Sequence, residues 1–452
     1  MKSATKYLTI VLAISCAATF AQPEVVKKDS VISSMVREVS SSNLESTIRK
    51  LVSFGTRHSL SQRKSETTGI GAACMWVKSE FDKYAESSNG RLTAVLDSFV
   101  VESDGRRIIR KVLMTNVMAT LKGSDPNDNR IFIVSGHLDS RASEANDSVS
   151  AAPGADDDGS GVAAVLELAR IMSKHSFPAT IIFVAVSGEE QGLFGSTHLA
   201  KKAKDQNWNV VAMLNNDMIG NSYSGQTFLK DNIDVRVFSE GVPLFETDQM
   251  KNIRQSTNAE NDGISRQLAR YVKEIGERYV DQLNVKLVYR NDRFLRGGDH
   301  TPFNRQGFAA VRFCEMNEEY DHQHQNVRKE NGMQYGDLPE FVDYEYARKI
   351  TCANLAALAN LAMAPAVPQK VGVLVKELTN ETTLKWNAPE GRTPKGYYVM
   401  MRETDQPVWQ KKFYTEDTEI TLPYSKDNFF FAVQSVDDSG HESLPVWPVP
   451  VR

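Results

Sequence analysis

Cysteine is scarce in this chain of 452 residues: only four occur. Cys16 lies in an N-terminal segment expected to be removed, which leaves Cys74, Cys314 and Cys352. An odd number cannot pair completely within one chain, and none of the three has a neighbour suggesting a catalytic thiol. They read as buried small apolar side chains. A basic block is also missing, with 53 Lys and Arg against 57 Asp and Glu and a net charge of -4. That balance, with no basic block anywhere, argues against nucleic acid as a partner. No apolar run reaches the roughly 20 residues that span a bilayer, so no membrane span is expected.

The N-terminus carries an export pattern. Lys2 and Lys6 precede the apolar run from Tyr7 to Ile14, and small residues follow to Ala21. This is the layout of a secretory signal peptide. It predicts cleavage between Ala21 and Gln22 and a periplasmic or secreted product. A lipoprotein signal centred on Cys16 is the weaker alternative, because Ala13 stands where such signals usually carry Leu.

The chain is 41% hydrophobic and 24% charged, ordinary for a globular protein, and its length suits two or three domains. Ser42 and Glu45 form a candidate capping box ahead of Leu44, Ile48 and Leu51, which share a helical face. A second helix is predicted from Gly69 to Ala85. Extended segments follow at Leu92 to Val101 and Val112 to Leu121. Ile131 to Val134 and Thr180 to Val186 are apolar throughout, as central strands buried on both faces are. Between them Gly159-Ser160-Gly161 opens a helix with Val162, Val165, Leu166, Ala169 and Met172 at helical spacing. Further strands are expected at Val210 to Leu214, Val285 to Tyr289 and Ala309 to Phe313. Residues 221 to 265 are polar and aperiodic and read as loop excursions, and Tyr344 to Met363 as a closing helix. The fold class is therefore α/β: a three-layer α/β/α domain over residues 22–364 with a mostly parallel mixed sheet. Pro365 to Pro368 has linker composition. Short alternating strands follow, predicting a small all-β sandwich over residues 366–452. Truncation after Met363 should then leave a folded, competent first domain.

Three motifs stand directly after or between these strands: His137-Leu138-Asp139, Pro153 to Gly161 with its Asp156-Asp157-Asp158 run, and Gly188-Glu189-Glu190. All are delivered to the carboxyl edge of the sheet, where open α/β sheets build their sites. An aspartate run alone is more often a solvated turn. Gathered with a histidine and a Glu-Glu pair, however, so many acids would repel one another unless a cation were shared. The pattern predicts a metal-dependent hydrolase.

The ordered set His-x-Asp, Gly-Ala-Asp-Asp-Asp-Gly-Ser-Gly, Gly-Glu-Glu, Asn216-Asp217-Met218-Ile219-Gly220 and a late histidine resembles the co-catalytic zinc aminopeptidases of bacterial leucyl aminopeptidase type (clan MH). The resemblance covers roughly residues 40 to 360. It implies two Zn2+ per chain, held by His137, Asp157, Glu190, Asp217 and a last histidine, with Asp157 bridging. It implies Glu189 as general base and Asp139 as the carboxylate orienting His137. It also implies a cis Asp157-Asp158 peptide, and places His300 beside the site without making it a ligand. The family's last histidine usually has an acid four residues later. His322 is followed at that offset by Asn326 and His324 by Arg328, which favours His322 and leaves His324 as the alternative.

Residues 366 to 452 resemble a fibronectin type III module, with Phe429 where many such modules carry a corner tyrosine, so the corner hydrogen bond should be missing. The export signal and the peptidase resemblance together imply an exported aminopeptidase acting on peptides with a free N-terminus, with the C-terminal module available for surface or polymer contact. A carboxypeptidase-type exopeptidase, a glutaminyl cyclase of the same fold and a non-catalytic binding protein are the alternatives. A cyclase would use one zinc, and a binding protein should show eroded ligands. Residues 221 to 265 and 291 to 300 are expected to shape specificity; Arg296 either binds a substrate carbonyl or braces its loop.

Overall fold

The computed structural model describes residues 28–452, so the predicted signal peptide and Cys16 lie outside the described residues. Eight strands form the main sheet: β1 (Leu92–Val101), β2 (Val112–Leu121), β3 (Arg130–His137), β4 (Thr180–Val186), β5 (Asn209–Asn216), β6 (Asp234–Phe238), β7 (Asn284–Val288) and β8 (Ala310–Glu315). Their spatial order is β1-β2-β4-β3-β5-β8-β6-β7. The centre, β4-β3-β5-β8, is parallel, whereas β1, β2 and the β8-β6 pair are antiparallel.

Successive residues of the central strands serve opposite faces, as the two-residue pleat requires. Phe132, Val134, Ile181 and Phe183 join the large core beneath the helices Ser30–Arg37, Ser41–Val52, Gly69–Glu86, Gly159–Met172, Ile264–Tyr279 and Tyr344–Met363. Ile133, Ile182 and Val184 face the other way, toward Leu199 and Ala200 of the helix Phe194–Asp205 and Phe303 of His300–Arg305. Three layers result. Cys74, Cys314 and Cys352 are free and buried, and no helix among the described residues is long and apolar enough to cross a membrane.

Two local expectations change. The first long helix is capped by Ser40, whose side chain accepts from Asn43 N, and Glu45 pairs with Arg49 instead of reaching back to Ser42. Residues 221 to 265 are not only loop: they contain β6 and the helix Asp248–Thr257. β6 has only five residues, and its outer Arg236 hides the alternation of buried Val235 and Val237. Asp248–Thr257 buries no residue, so it leaves no apolar periodicity to detect.

After Tyr344–Met363 the chain forms a four-stranded sheet (Gln369–Leu374, Thr382–Asn387, Glu419–Leu422, Val449–Val451) against a three-stranded one (Gly396–Glu403, Lys411–Thr415, Phe429–Val436). Leu384, Trp386, Val399, Phe431 and Val433 fill the space between them. Phe429 packs edge-on against Tyr424 at 5.6 Å. The proline stretch before this sandwich is tied down, with Arg130 donating to the carbonyls of Ala364 and Pro365. The buried carboxylate of Asp262 lies between Arg270 at 2.8 Å and Arg402 of the sandwich at 2.6 Å. Leu444 belongs to the main core.

Candidate metal centre

Strands β3, β4, β5 and β8 end along one edge, and their last residues or the turns behind them carry the candidate groups. Close approach is needed there. A Cβ on Gly136 would come within 2.5 Å of the Gly161 backbone, and one on Gly161 within 2.4 Å of the Asn216 carbonyl. Glycine at both positions lets the start of Gly159–Met172 sit directly on the strand ends. The Asp157-Asp158 peptide is cis. Asp158 then turns back into the protein: its carboxylate accepts from His137 N, Gly161 N and Met218 N, stitching three of the motifs together.

Asp157 points the other way and meets two histidines. Its Oδ1 lies 3.0 Å from His137 Nε2, and its Oδ2 lies 3.0 Å from His324 Nε2. Asp217 Oδ1 is 3.8 Å from the same His137 nitrogen, and Glu190 Oε1 is 2.9 Å from His324 Nε2. Two candidate triads follow, His137-Asp157-Asp217 and Asp157-Glu190-His324, with donor atoms within 4.8 Å of one another in each. Ligands about 2.0–2.1 Å from a tetrahedral zinc stand roughly 3.3 Å apart. The observed spacings bracket that value, and the imidazole and carboxylate donors suit zinc, so the residues fit the group.

The last histidine therefore differs from expectation. His322 does not reach the triads; its ring stacks on Phe341 with centroids 3.7 Å apart. His324 takes the position; its backbone is left-handed, at φ 55°, whereas His322 lies in the preceding turn, its N–H bonded to the Glu319 carbonyl. Nor does Asn326 stand in for an acid beside the imidazole. Its side chain accepts from Ser143 N, with no hydrogen bond to either histidine among the described residues.

Asp139 also acts differently. The His137 Nδ1 partner is the backbone carbonyl of Asp139 at 2.9 Å, while the carboxylate stands 3.9 Å away. That carboxylate instead accepts from the N–H groups of Gly188, Glu189 and Glu190. It holds the turn, entered through Gly188 at φ 82°, from which Glu189 and Glu190 project. His300 Nε2 donates to the Asn291 carbonyl, 2.7 Å away, clear of both triads.

Several supporting groups escaped the motifs. Asp337 accepts from the backbone N–H groups of Asp156 and Asp157. Gln323 donates to Asp157 Oδ2. Buried Arg57 binds the carbonyls of Leu138, Pro153 and Gly154, joining the first two motifs. Fully buried Arg312 lies 2.7 Å from Asp217 and 3.0 Å from Asp292. None of these sits in a sequence pattern that announces it; only Asp158, inside the aspartate run, had a signal.

The field of this cluster attracts cations. Burial alone would lower His324, but Glu190 and Asp157 outweigh it and raise its pKa to about 10. Burial likewise opposes charge on His137, yet Asp157, Asp158 and Asp217 raise it well above the usual histidine range. For Glu189 burial dominates and pushes the carboxyl well up, reinforced by Asp217 and Glu190. A cleft of about 540 Å³ opens over both triads, with Glu189, Arg141, Arg293, Arg296 and Tyr320 in its wall.

Residues 116–339 match the model of Peptidase family M28. A "Probable zinc metalloprotease" of Leptosphaeria maculans is 44% identical over 420 residues, covering 93% of this chain and 97% of that protein. Another, of Pyrenophora teres f. teres, is 43% identical over 425 residues, covering 93% and 87%. Among solved structures, the LapA aminopeptidase of Legionella pneumophila shares the fold at a TM-score of 0.52 and 20% identity, over 76% of this chain and 78% of that one. On its near-full-length relatives, the chain belongs to the zinc metalloproteases of Peptidase family M28.

Proposed function

We propose that the chain is an exported aminopeptidase using two zinc ions, which removes N-terminal residues from peptides. The observation that carries this reading is the pair of triads sharing Asp157, with Glu189 beside Glu190 in the wall of one cleft. Zinc bound there would supply Lewis acidity toward a scissile carbonyl and toward water. His137 and Asp217 would hold one ion, Glu190 and His324 the other, and Asp157 both. Glu189 would take the proton of the attacking water and pass it to the leaving amine. Its place in the cleft wall beside Glu190 suits that work, since a general base must stand within reach of the proton it removes. Asp139 and Asp337 would keep the turns carrying Glu189 and Asp157 in register.

The test combines metal analysis with a panel of aminoacyl-p-nitroanilides and N-blocked controls. Two zinc ions and cleavage restricted to free-amine substrates support the reading. Cleavage of blocked peptides from the C-terminus would replace it with a carboxypeptidase, and cyclisation of N-terminal glutamine with a cyclase.

A further inference from the structure

Four arginines line the cleft: Arg107, Arg141, Arg293 and Arg296. Arg293 and Arg296, together with Arg236, converge on a single acid, Glu318, each at 2.9 Å. Arg293 also reaches Asp292, but that carboxylate is already committed to Arg312. Glu318 is the sole side-chain partner of Arg296 among the described residues, and the Arg296 side chain is 32% exposed. Also in the cleft lining, Arg141 donates to the carbonyls of Ala142 and Ser143, and Arg107 to that of Glu190. Neither has an ion pair among the described residues. Each guanidinium has five N–H donors in a planar fork, so most of those on Arg296 and Arg141 are free to face the cleft. The acids on the floor do not balance them, because under the two-zinc reading Asp157, Glu190, Asp217 and Glu189 are offset by the ions.

We propose that this cleft selects peptides carrying a carboxylate next to the scissile bond, gripped by Arg296 and Arg141. The inference rests on the aminopeptidase reading and deepens it by naming a substrate class. A planar carboxylate matches the guanidinium fork in a way that an amide of the same shape does not. Two sources can present that group: an acidic N-terminal side chain, or the C-terminal carboxylate of a dipeptide. Phe294 and Leu295, 71% and 93% exposed, stand beside Arg296 and offer apolar cover for the rest of the ligand.

The experiment uses the zinc-loaded mature chain and two isosteric pairs, Glu- against Gln-p-nitroanilide and Leu-Gly against Leu-Gly amide. For at least one pair the acid should exceed its amide in kcat/KM by tenfold or more, and the responding pair identifies the source. Arg296→Gln or Arg141→Gln should shrink that ratio to threefold or less, and added salt should shrink it too. Each ratio is taken within one protein, so it is insensitive to partial loss of folded enzyme. Equal or inverted ratios in both pairs overturn the proposal, as does a ratio that both variants leave unchanged. Calorimetric binding of glutamate against glutamine, and of Leu-Gly against its amide, to Glu189→Gln protein supplies a readout without turnover. If no substrate is cleaved but the acids still bind tighter, the aminopeptidase reading fails and the carboxylate grip stands. If cleavage is intact but acid and amide bind equally, the grip fails and the aminopeptidase reading stands.

Discussion

Arg312 lies 2.7 Å from Asp217 with its guanidinium fully buried, so a candidate zinc ligand is anchored by a cation from the neighbouring strand. The same guanidinium reaches Asp292, and removing it would leave two buried carboxylates without that partner. Breaking a buried ion pair from one side costs about 3–5 kcal/mol. Arg312→Met should lose roughly that much in urea unfolding of the metal-free protein. A change below about 1 kcal/mol, the scale of an exposed pair, would show that the pair is not structurally important.

Glu189→Gln should keep both metals and substrate affinity while kcat falls. A positioned general base contributes about 10²–10⁴-fold, and the amide cannot accept the proton. Stopped assays with metal content measured in the same samples check this. A near-normal kcat would remove Glu189 from the role.

Under the proposed two-zinc reading, His324→Ala should lower zinc content from two per chain toward one, because its Nε2 stands 2.9 Å from Glu190 and 3.0 Å from Asp157. His322→Ala should leave the content unchanged, since that ring packs on Phe341. Atomic absorption on the dialysed proteins decides between them, and the opposite pattern would restore His322.

Truncation after Met363 should destabilise the remainder, against the expectation drawn from linker composition. It strips Arg402 from the buried Asp262 carboxylate and removes Leu444 from the main core. It also frees Tyr289, whose hydroxyl donates to the Pro407 carbonyl just ahead of the Arg293–Arg296 loop. Residues 22–363 should therefore unfold at a lower temperature than the mature chain. An equal melting temperature together with equal kcat/KM would mean that the sandwich is energetically separate.

Glu442 gives that contact a pH dependence. Burial pushes its carboxyl up, but Lys412 and Arg278 outweigh burial and hold it below its ordinary 4.5. A depressed carboxylate stabilises the folded state above its unfolded pKa, and the contribution disappears as the pH falls through the folded one. Glu442→Gln should therefore be less stable than the parent at neutral pH, and the gap should close below about pH 4.5. Thermal melts of both zinc-free proteins across that range provide the check. A gap independent of pH would assign the loss to packing alone.

Much of this molecule was readable along the chain because its signals are local. The apolar runs of β3 and β4 mark strands covered on both faces. The apolar repeat beginning at Val162 marks the helix between them, and the acids and histidine directly behind those strands mark an edge rich in metal donors. Strand ends on one edge of a parallel sheet come together by topology, so the His137, aspartate-run and Glu189-Glu190 motifs could be grouped without coordinates, and the family resemblance singled out Asp157, Glu190 and Asp217 as ligands. Which of His322 and His324 joins them depends on the local backbone path, left-handed at His324, and a spacing rule does not encode that path. Asp139 shows the same limit: its carboxylate serves three backbone N–H groups of a turn some fifty residues away, and its carbonyl serves the imidazole. Arg312, Asp337 and the Glu318 arginine cluster are further from any pattern, because each acts through partners brought near only by folding. Buried charges are held by whatever opposite charge or N–H group packs against them, and that is decided in three dimensions.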